Sequence, residues 1–476
     1  MGGDLEVEPV TVRRVLAAGQ PAAAGLVAVV IAAAVWRRSM VDALVLAGLA
    51  TLVSRRWAFG IALAALAGFA AVRAGESYAG LAPDRLGPFH GWATVVDDPR
   101  PAQTAMRVLL QIEGERFEMW VRGRAGRLRV AEWHGGDVVR VQGNRAALDT
   151  ARSQRVAWQH VVGAFDYDSL GDRREGRPLA VASNRVREVI ARATSSMPDR
   201  DAALARGLII GDDRAQPQDM VERFRRSGLS HLTAVSGQNV AFVLAAAGPL
   251  LKRARPMAQL IASLALIGWF VVITRAEPSV LRAGAMASLG AVAYAFGRER
   301  EPPRLLAVAV TGLLLVDPLL VRSVGFWLSV GATAGVTVIA PLLARRLHCL
   351  GPLAMPLAIT LGAQLGVAIP SVLVFGRLSL VGTVANLVAV PIAGFVMLYG
   401  LPACLLAGAV PFAGTLIMAP VAVGVRAVDS VAMVAASAEP PALWSVIGWV
   451  AIGIAIVALV VRGKDGCPVD GEQLRQ

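Results

Sequence analysis

Charge, cysteine and lysine are all scarce in this chain, and each shortage excludes something. Charged residues fill 17% of the 476 positions, hydrophobic residues fill 55% and mean hydropathy is +0.57. That is too apolar for a soluble enzyme of this length, so the chain reads as a polytopic membrane protein. The three cysteines, Cys349, Cys404 and Cys467, have no metal-ligand spacing and give no disulfide framework. The five histidines, His90, His134, His160, His231 and His348, are isolated, with no H-x-H-x-D-H cluster and no H-E-x-x-H. Gly207 to Arg214 lacks the G-K-[ST] ending of a nucleotide-binding loop. Nothing resembles a catalytic triad or a carboxylate pair. The expectation is a protein that is not an enzyme and holds no cofactor.

What positive charge there is comes as arginine. Lys252 and Lys464 are the only lysines among 47 basic residues, and the formal net charge is +13. The positive-inside rule explains such an excess through cytoplasmic loops. Attraction to a polyanion such as DNA is the second explanation, and arginine forks onto phosphate better than lysine does.

Residues 1–15 are polar, with Arg13 and Arg14 ahead of the first apolar run. More apolar segments follow at once, which favours an uncleaved anchor over a signal peptide. Ala17–Trp36, Val41–Val53 and Trp57–Val72 read as three close-set helices, the middle one short for a ~20-residue span. They place N-terminal transmembrane helices in residues 1–75. Over 76–182 the composition turns polar and the period falls to two. Gly91–Asp97, Met106–Glu113, Arg116–Arg122, Arg127–Trp133, Asp137–Gly143 and Val156–Gly163 alternate between Gly, Pro and Asp turns. Phe117, Met119 and Val121 share one face, and Glu118, Trp120 and Arg122 the other. The expected fold class is a polytopic α-helical membrane protein with an inserted small all-β (OB-like) extracytoplasmic domain. OB-type barrels can hold single strands on aromatic platforms in a basic groove, and Trp120 with Arg122, Arg124, Arg127 and Arg129 makes a candidate DNA-binding surface. A solvated strand face and hairpin turn, with packed tryptophans, is the plainer reading of the same residues.

Residues 183–226 read as an amphipathic linker. In its helix Ser183–Met197, Val186, Val189, Ile190 and Ala193 oppose Arg185, Arg187, Glu188 and Arg192. The membrane domain proper takes 227–462 and a short tail 463–476. Spans are expected at Leu232–Leu251, Met257–Ile273, Ser279–Phe296, Leu305–Val316, Gly325–Leu343, Ala354–Phe375, Leu380–Tyr399, Leu401–Met418 and Leu443–Val461. Val421–Ala438 is a weaker candidate because Arg426 and Asp429 interrupt it. Alternation places Lys252 to Arg255, Arg298 to Arg304, and Arg345 with Arg346 inside, in agreement with the positive-inside rule, and the β domain outside.

The stretch Gly207–Leu251 organises the rest. A short apolar run breaks at Gly211, Asp212 and Asp213. A basic amphipathic segment around Phe224 follows, then a polar entry of small residues, then an apolar helix. Polar groups inside a membrane are costly and face a partner or a water-filled cavity. Ser236, Gly237, Gln238 and Asn239 suggest a locally unwound helix lining such a cavity. Arg275 and Glu277 stand at the start of a later span, where they can neutralise one another, with Arg282 one turn further in. Asn386 and Gln364 lie in apolar helices, as interhelical glue or as pore-lining groups. Gly325, Gly331, Ala332 and Gly335 offer a small-residue face for close packing.

FRRSGLSHLTAVSGQNV (from Phe224) resembles the signature of the ComEC family of bacterial competence channels. Three further elements resemble that family in the same order. They run through Pro278, Ser279, Arg282, Ala283 and Met286; through Asp317, Pro318 and Gly325 to Ser329; and through Phe375, Ser379, Gly382, Asn386 and Pro391. GGDVVRVQGNRAAL and VVGAFDYDSLGDRR (from Gly135 and Val161) are similar to the end of its extracytoplasmic domain, with Gly136 and Val162 where prolines are common. The resemblance implies an inner-membrane, multi-pass channel for single-stranded DNA with membrane lipid around it. It implies a cytoplasmic helicase-type motor and DNA-delivery proteins as partners, and an oligomer is possible. Family members often carry a C-terminal metallo-β-lactamase-like domain. Its His/Asp cluster is missing here, so any nuclease is expected on another chain. The transport path would then run by Ser236, Gly237, Gln238, Asn239, Arg275, Glu277, Arg282 and Asn386. A transporter of another anionic or lipid-linked substrate and a noncatalytic scaffold are the rival readings.

Overall fold

The structure is a computed structural model that describes residues 10–39, 41–42, 44–45, 47–48, 57–102, 104–233, 237–298, 301–376 and 378–461. The expected helix Val41–Val53 falls largely outside them, as does the tail 463–476. Among the described residues six helices are long and apolar enough to cross a membrane: Gly60–Ala79, Pro256–Ile273, Val324–Arg346, Leu350–Phe375, Gly382–Ala409 and Gly414–Ala438. Ala22–Arg37, Gly237–Leu251, Pro302–Val316 and Leu443–Ala455 are apolar but shorter. The expected class holds: a helical, multi-pass membrane protein carrying a small sheet domain near its N-terminus.

The chain divides into two compact units. The first takes Met1–Asn184, Arg255–Ala265 and Leu281–Phe326. Its strands are β1 (Gly87–Val95), β2 (Arg100–Ala102), β3 (Ala105–Ile112), β4 (Glu115–Arg122), β5 (Val138–Ala147) and β6 (Val161–Arg174). They run in the order β1-β5-β6-β4-β3-β2, and an additional β1–β3 pairing closes the sheet into a ring. β4 and β6 are parallel and the other pairs antiparallel. A ring of short strands around one core is the barrel that the period-two pattern calls for. Cross-strand pairs Val108↔Met119 and Leu110↔Phe117 fill it together with Val139, Val141 and Phe165. Gly143 is required by a close approach, since a Cβ there would stand 2.2 Å from the Asp166 carbonyl oxygen.

Two expected strands are not strands as read. Val156–Gly163 is helical as far as Gln159 and enters β6 only at Val161. Arg127–Trp133 lies mostly in the helix Arg124–Ala131, so the domain is not purely β. Val130 and Trp133 are both buried, and this three-residue spacing brings them to one side of a helix. Alternation over seven residues does not separate the two periods.

The second unit takes Arg185–Ala254, Leu266–Val280 and Trp327–Gln476. Leu204, Leu208, Phe224, Val396, Val421, Val425 and Val428 are fully buried or nearly so at its centre. The expected division into Leu380–Tyr399 and Leu401–Met418 is wrong: one helix runs from Gly382 to Ala409 and the next from Gly414 to Ala438. Gly400 and Pro402 look like a break in sequence. Gly400 instead sits where a Cβ would lie 2.8 Å from the Ile209 side chain, so its smallness serves packing. Arg426 and Asp429 do not interrupt the following helix, because Arg426 pairs with Asp201 and Asp429 with Arg223. Gly331 and Gly335 meet Gly366 and Gly362 backbone to backbone, with a Cβ on Gly335 only 1.9 Å from the Gly362 oxygen. That is the close approach small residues permit between membrane helices.

Candidate functional site

The signature stretch folds as short helices joined by tight turns, all in the second unit. Asp199–Ile210 is closed by Gly211, whose φ of 70° is left-handed, a conformation glycine adopts without strain. Gln218–Arg226 buries Met220 and Phe224 and turns its arginines outward. One of them, Arg223, donates to both Asp429 oxygens at 2.8 and 3.0 Å. Gly228, with φ of 73°, abuts the entry of the Gly382–Ala409 helix, where its Cβ would stand 2.9 Å from that of Ser379. Two separate elements of the motif pattern thus meet. Glu439 holds the entry by accepting from Ser379 Oγ at 2.7 Å and from the Leu380 and Val381 amides at 3.1 and 3.0 Å. A carboxylate at a helix start also suits the helix dipole.

Helices Ser230–Thr233 and Gly237–Leu251 lie on either side of residues 234–236, and Ser236 with its two predecessors lies outside the described residues. Gly237 is half-buried and Gln238 exposed. Asn239 is 2% exposed, and its Nδ2 donates to the Leu208 carbonyl at 3.3 Å. Close to that carbonyl, at the end of the same helix, Asp212 is gripped by Arg214 through both oxygens at 2.7 Å. Asp212 also meets Arg187, whose Nη2 is 3.2 Å away. Arg187 Nη1 donates in addition to the Ile273 carbonyl at 2.9 Å. The pattern of Ser183–Met197 put Arg187 on the charged side of an amphipathic helix; it is buried, paired with Asp212 and donating to a carbonyl.

Immediately beyond Ile273, Arg275 and Ala276 both hold left-handed backbone, with φ of 59° and 52°. Non-glycine residues there store strain, often at functional sites. Arg275 and Glu277 flank this turn and are half-buried. Asn239, Arg187, Asp212, Arg214 and the start of the 275–277 turn are thereby linked at one end of the unit. Asn386 is not with them. It is 9% exposed with Oδ1 unpartnered, one turn from Gly382. Gly400, packed on Ile209 near Asn239, lies 14 residues along the same helix, about 21 Å at 1.5 Å per residue. Arg282 belongs to the first unit, 5% exposed in the helix Pro278–Ala295, with Nη1 3.2 Å from Met286 Sδ.

In the barrel, the candidate DNA-binding residues do not form one open platform. Arg152 covers Trp120 at 5.0 Å from the ring centroid, and the indole nitrogen is buried without a partner. Arg122 and Arg124 are exposed, Arg127 is half-buried, and Arg129 donates to the Gly171 carbonyl at 3.0 Å. Beneath them Glu118, 1% exposed, accepts from Arg107 at 2.8 Å and from Arg152. Burial pushes the Glu118 carboxyl up, but hydrogen bonds from Arg152 and Arg107 outweigh it and hold the group below the usual carboxylate range. The exposed tryptophan is Trp92, with Arg174 over its ring at 4.1 Å and Arg140 directly across the β1–β5 pairing. Among the described residues no three His, Cys, Asp or Glu side chains are grouped to hold a metal ion.

Sequence pattern missed Arg187, Asp212 and Arg214 as a group. The run G-D-D-R was visible as an acidic turn, but its partner lies 25 residues upstream on another helix (187 to 212), and no local periodicity reports such a pairing.

Apolar helices long enough to span a membrane, together with a small sheet domain, define a multi-pass bacterial membrane protein. The family model for Competence protein matches residues 208–464, more than half of the chain, and the chain belongs to that family. It is similar to ComE operon protein 3 of Bacillus subtilis (strain 168), 24% identical over 56% of this chain and 32% of the relative. Competence protein ComA of Neisseria gonorrhoeae is 34% identical over 28% of this chain and 20% of the relative. The uncharacterized protein YcaI of Escherichia coli (strain K12) is 23% identical over 61% and 38%. The matched stretch thus spans well under half the length of each of these relatives. No solved structure matches.

Proposed function

We propose that this chain conducts single-stranded DNA across the inner membrane during natural transformation. The observation that carries this reading is a coincidence of place. The family match over 208–464 includes buried Asn239 and the half-buried Asp212–Arg214 pair in an otherwise apolar helical unit. The path begins by Ser236, Gly237, Gln238 and Asn239, with Arg275 and Glu277 near its mouth, and Asn386 contributes at the other end of the Gly382–Ala409 helix. Arg282 offers phosphate a fixed cation. The sheet domain faces outward and meets incoming DNA through arginine. Trp92, 36% exposed, is the more accessible of the two tryptophans, and each carries an arginine over its ring. A cytoplasmic motor draws the strand, DNA-delivery proteins bring it, and any nuclease resides on another chain.

The test is uptake of labelled DNA by a deletion strain carrying the chain at matched membrane expression. Wild type is expected to restore uptake, Gly237→Leu to block it by bulk and Arg282→Ala to reduce it at least tenfold. Normal uptake by both variants overturns this path. Saturable uptake of a small anion, without DNA, favours a transporter instead.

A further inference from the structure

The strongest unassigned chemistry in the helical unit lies at the turn that follows Gly211. Asp212 stands there between two arginines of different origin. Arg214 is two residues away on the same turn and grips both carboxylate oxygens at 2.7 Å. Arg187 reaches in from the helix Pro178–Thr194, 3.2 Å from Oδ2, and is anchored independently by the Ile273 carbonyl at 2.9 Å. The two arginines therefore have different fates if the turn moves. Arg214 leaves with Asp212 as a neutral pair. Arg187 stays, buried, and a buried guanidinium that loses its anion is strongly disfavoured.

We propose that Arg187 is a phosphate site, and that Asp212 occupies it in this structure in place of a phosphodiester of the passing strand. A guanidinium takes carboxylate and phosphate in the same forked geometry, so exchange of one anion for the other keeps Arg187 paired throughout. The ligand class is a phosphodiester, read by charge and shape and not by base. Two placements support this role. Asn239, on the signature helix start, bonds the Leu208 carbonyl four residues before Asp212. The strained Arg275–Ala276 backbone begins two residues beyond the carbonyl that anchors Arg187. The inference rests on the conduit reading given above.

A purely structural ion pair has the same geometry at rest, and charge manipulation separates the two roles. The full chain in lipid nanodiscs is titrated with a fluorescein-labelled oligothymidylate at several salt concentrations. Asp212→Asn removes the internal competitor. It is expected to bind several-fold tighter, with a log–log salt slope steeper by about 0.7, the value for one added phosphate contact on a single strand. Adding Arg187→Ala to that variant is expected to cancel both gains. The exchanged pair, Arg187→Asp with Asp212→Arg, retains an ion pair but presents a carboxylate from the helix. It gives up the Arg214 grip and the bond to the Ile273 carbonyl, so it is expected to melt below wild type and to lose DNA uptake. Unchanged affinity and slope for Asp212→Asn, or normal uptake by the exchanged pair, overturns the proposal. Should either variant fail to fold, hydrogen exchange in the wild type decides. Amides of 211–216 are expected to exchange faster once the oligonucleotide is bound, and unchanged exchange overturns the proposal. If wild type binds and transports DNA while these outcomes fail, only the Arg187 assignment falls. If wild type does neither, the conduit reading falls with it.

Discussion

In the barrel, Glu118 meets its two arginines 11 and 34 residues away along the chain; in the helical unit, Arg426 reaches Asp201 across 225 residues and Arg223 reaches Asp429 across 206. The barrel thus gathers charge locally, on neighbouring strands and the helix beside them. The helical unit uses charge as staples between helices far apart in sequence, while its apolar surfaces face lipid or each other. Lipid supplies no hydrophobic drive for helix association, so close packing and polar links must do that work. Water supplies it in the barrel, where a buried carboxylate is an expense tolerated because two guanidinium groups satisfy it. Each unit is vulnerable at a different kind of contact.

The largest effect is expected at the glycine crossing. Gly335→Leu places side-chain atoms where a Cβ alone already stands 1.9 Å from the Gly362 oxygen. Two backbones must separate, and neither can yield as a flexible side chain does. No monodisperse protein is expected by size-exclusion chromatography in detergent. Gly325→Ala is the matched control, since its nearest neighbour is the Ser323 hydroxyl at 3.8 Å, and it should purify like wild type. Equal behaviour of the two variants would remove the packing role assigned to Gly335.

The barrel breaks at Glu118. Glu118→Gln leaves Arg107 and Arg152 without their carboxylate, and loss of one partner of a buried pair costs about 3 kcal/mol. Arg152 is partly in solvent, with 40% of its side chain exposed, so the effect belongs at or below that figure. The pH dependence has a definite sign. Because the folded-state pKa of Glu118 is depressed, its contribution is fully present above the unfolded carboxylate value near about 4.3 and is lost as pH falls through the folded value. Hydrogen exchange of β3 and β4 amides in the full chain should accelerate below that pH in wild type. Glu118→Gln should flatten the dependence while raising exchange at neutral pH. An unchanged acid profile in the variant would show that another group controls it.

The same contrast sets how much was legible in the sequence. Period-two alternation located β1, β3, β4 and β5, and Phe117, Met119 and Val121, read on one face, lie in the barrel core, because one face of each strand must be apolar. The family motifs that begin at Phe224 and Phe375 fall in the helical unit, while Arg282 and Asp317 of the other two fall in the first unit. Helix ends in the helical unit were misread, because Gly400 and Pro402 break soluble helices while membrane helices tolerate them. Within the signature, the sequence marks Asn239 but not its bond to Leu208, and Arg187 reads only as part of the charged side of an amphipathic helix. Pairings across helices leave no periodic trace, so a burial pattern drawn from one helix at a time puts such arginines on the wrong side. Asn386 and Asn239 read as parts of one path, yet the helix between their neighbours is about 21 Å long.

The smallest expected effect tests whether a polar link between two apolar helices is glue alone. Thr383 Oγ1 donates to Gln364 Oε1 at 2.7 Å, joining the Ala354–Phe375 and Gly382–Ala409 helices. Interhelical hydrogen bonds of this kind contribute about 0.6 kcal/mol on average, since each partner finds other acceptors when the helices part. The glycine crossing at Gly331, Gly335, Gly362 and Gly366 already fixes the first of these helices from its other neighbour. Gln364→Ala should therefore lower thermal stability by about that amount and leave DNA uptake close to wild type. The conservative pair Gln364→Ala with Thr383→Val should be no worse than the single change, because both ends of the bond are then gone and neither is left unsatisfied. A loss of uptake with unchanged melting would move Gln364 from packing to the path itself. It would place a second pore-lining group beside Asn386, which stands three residues from Thr383 on the same helix.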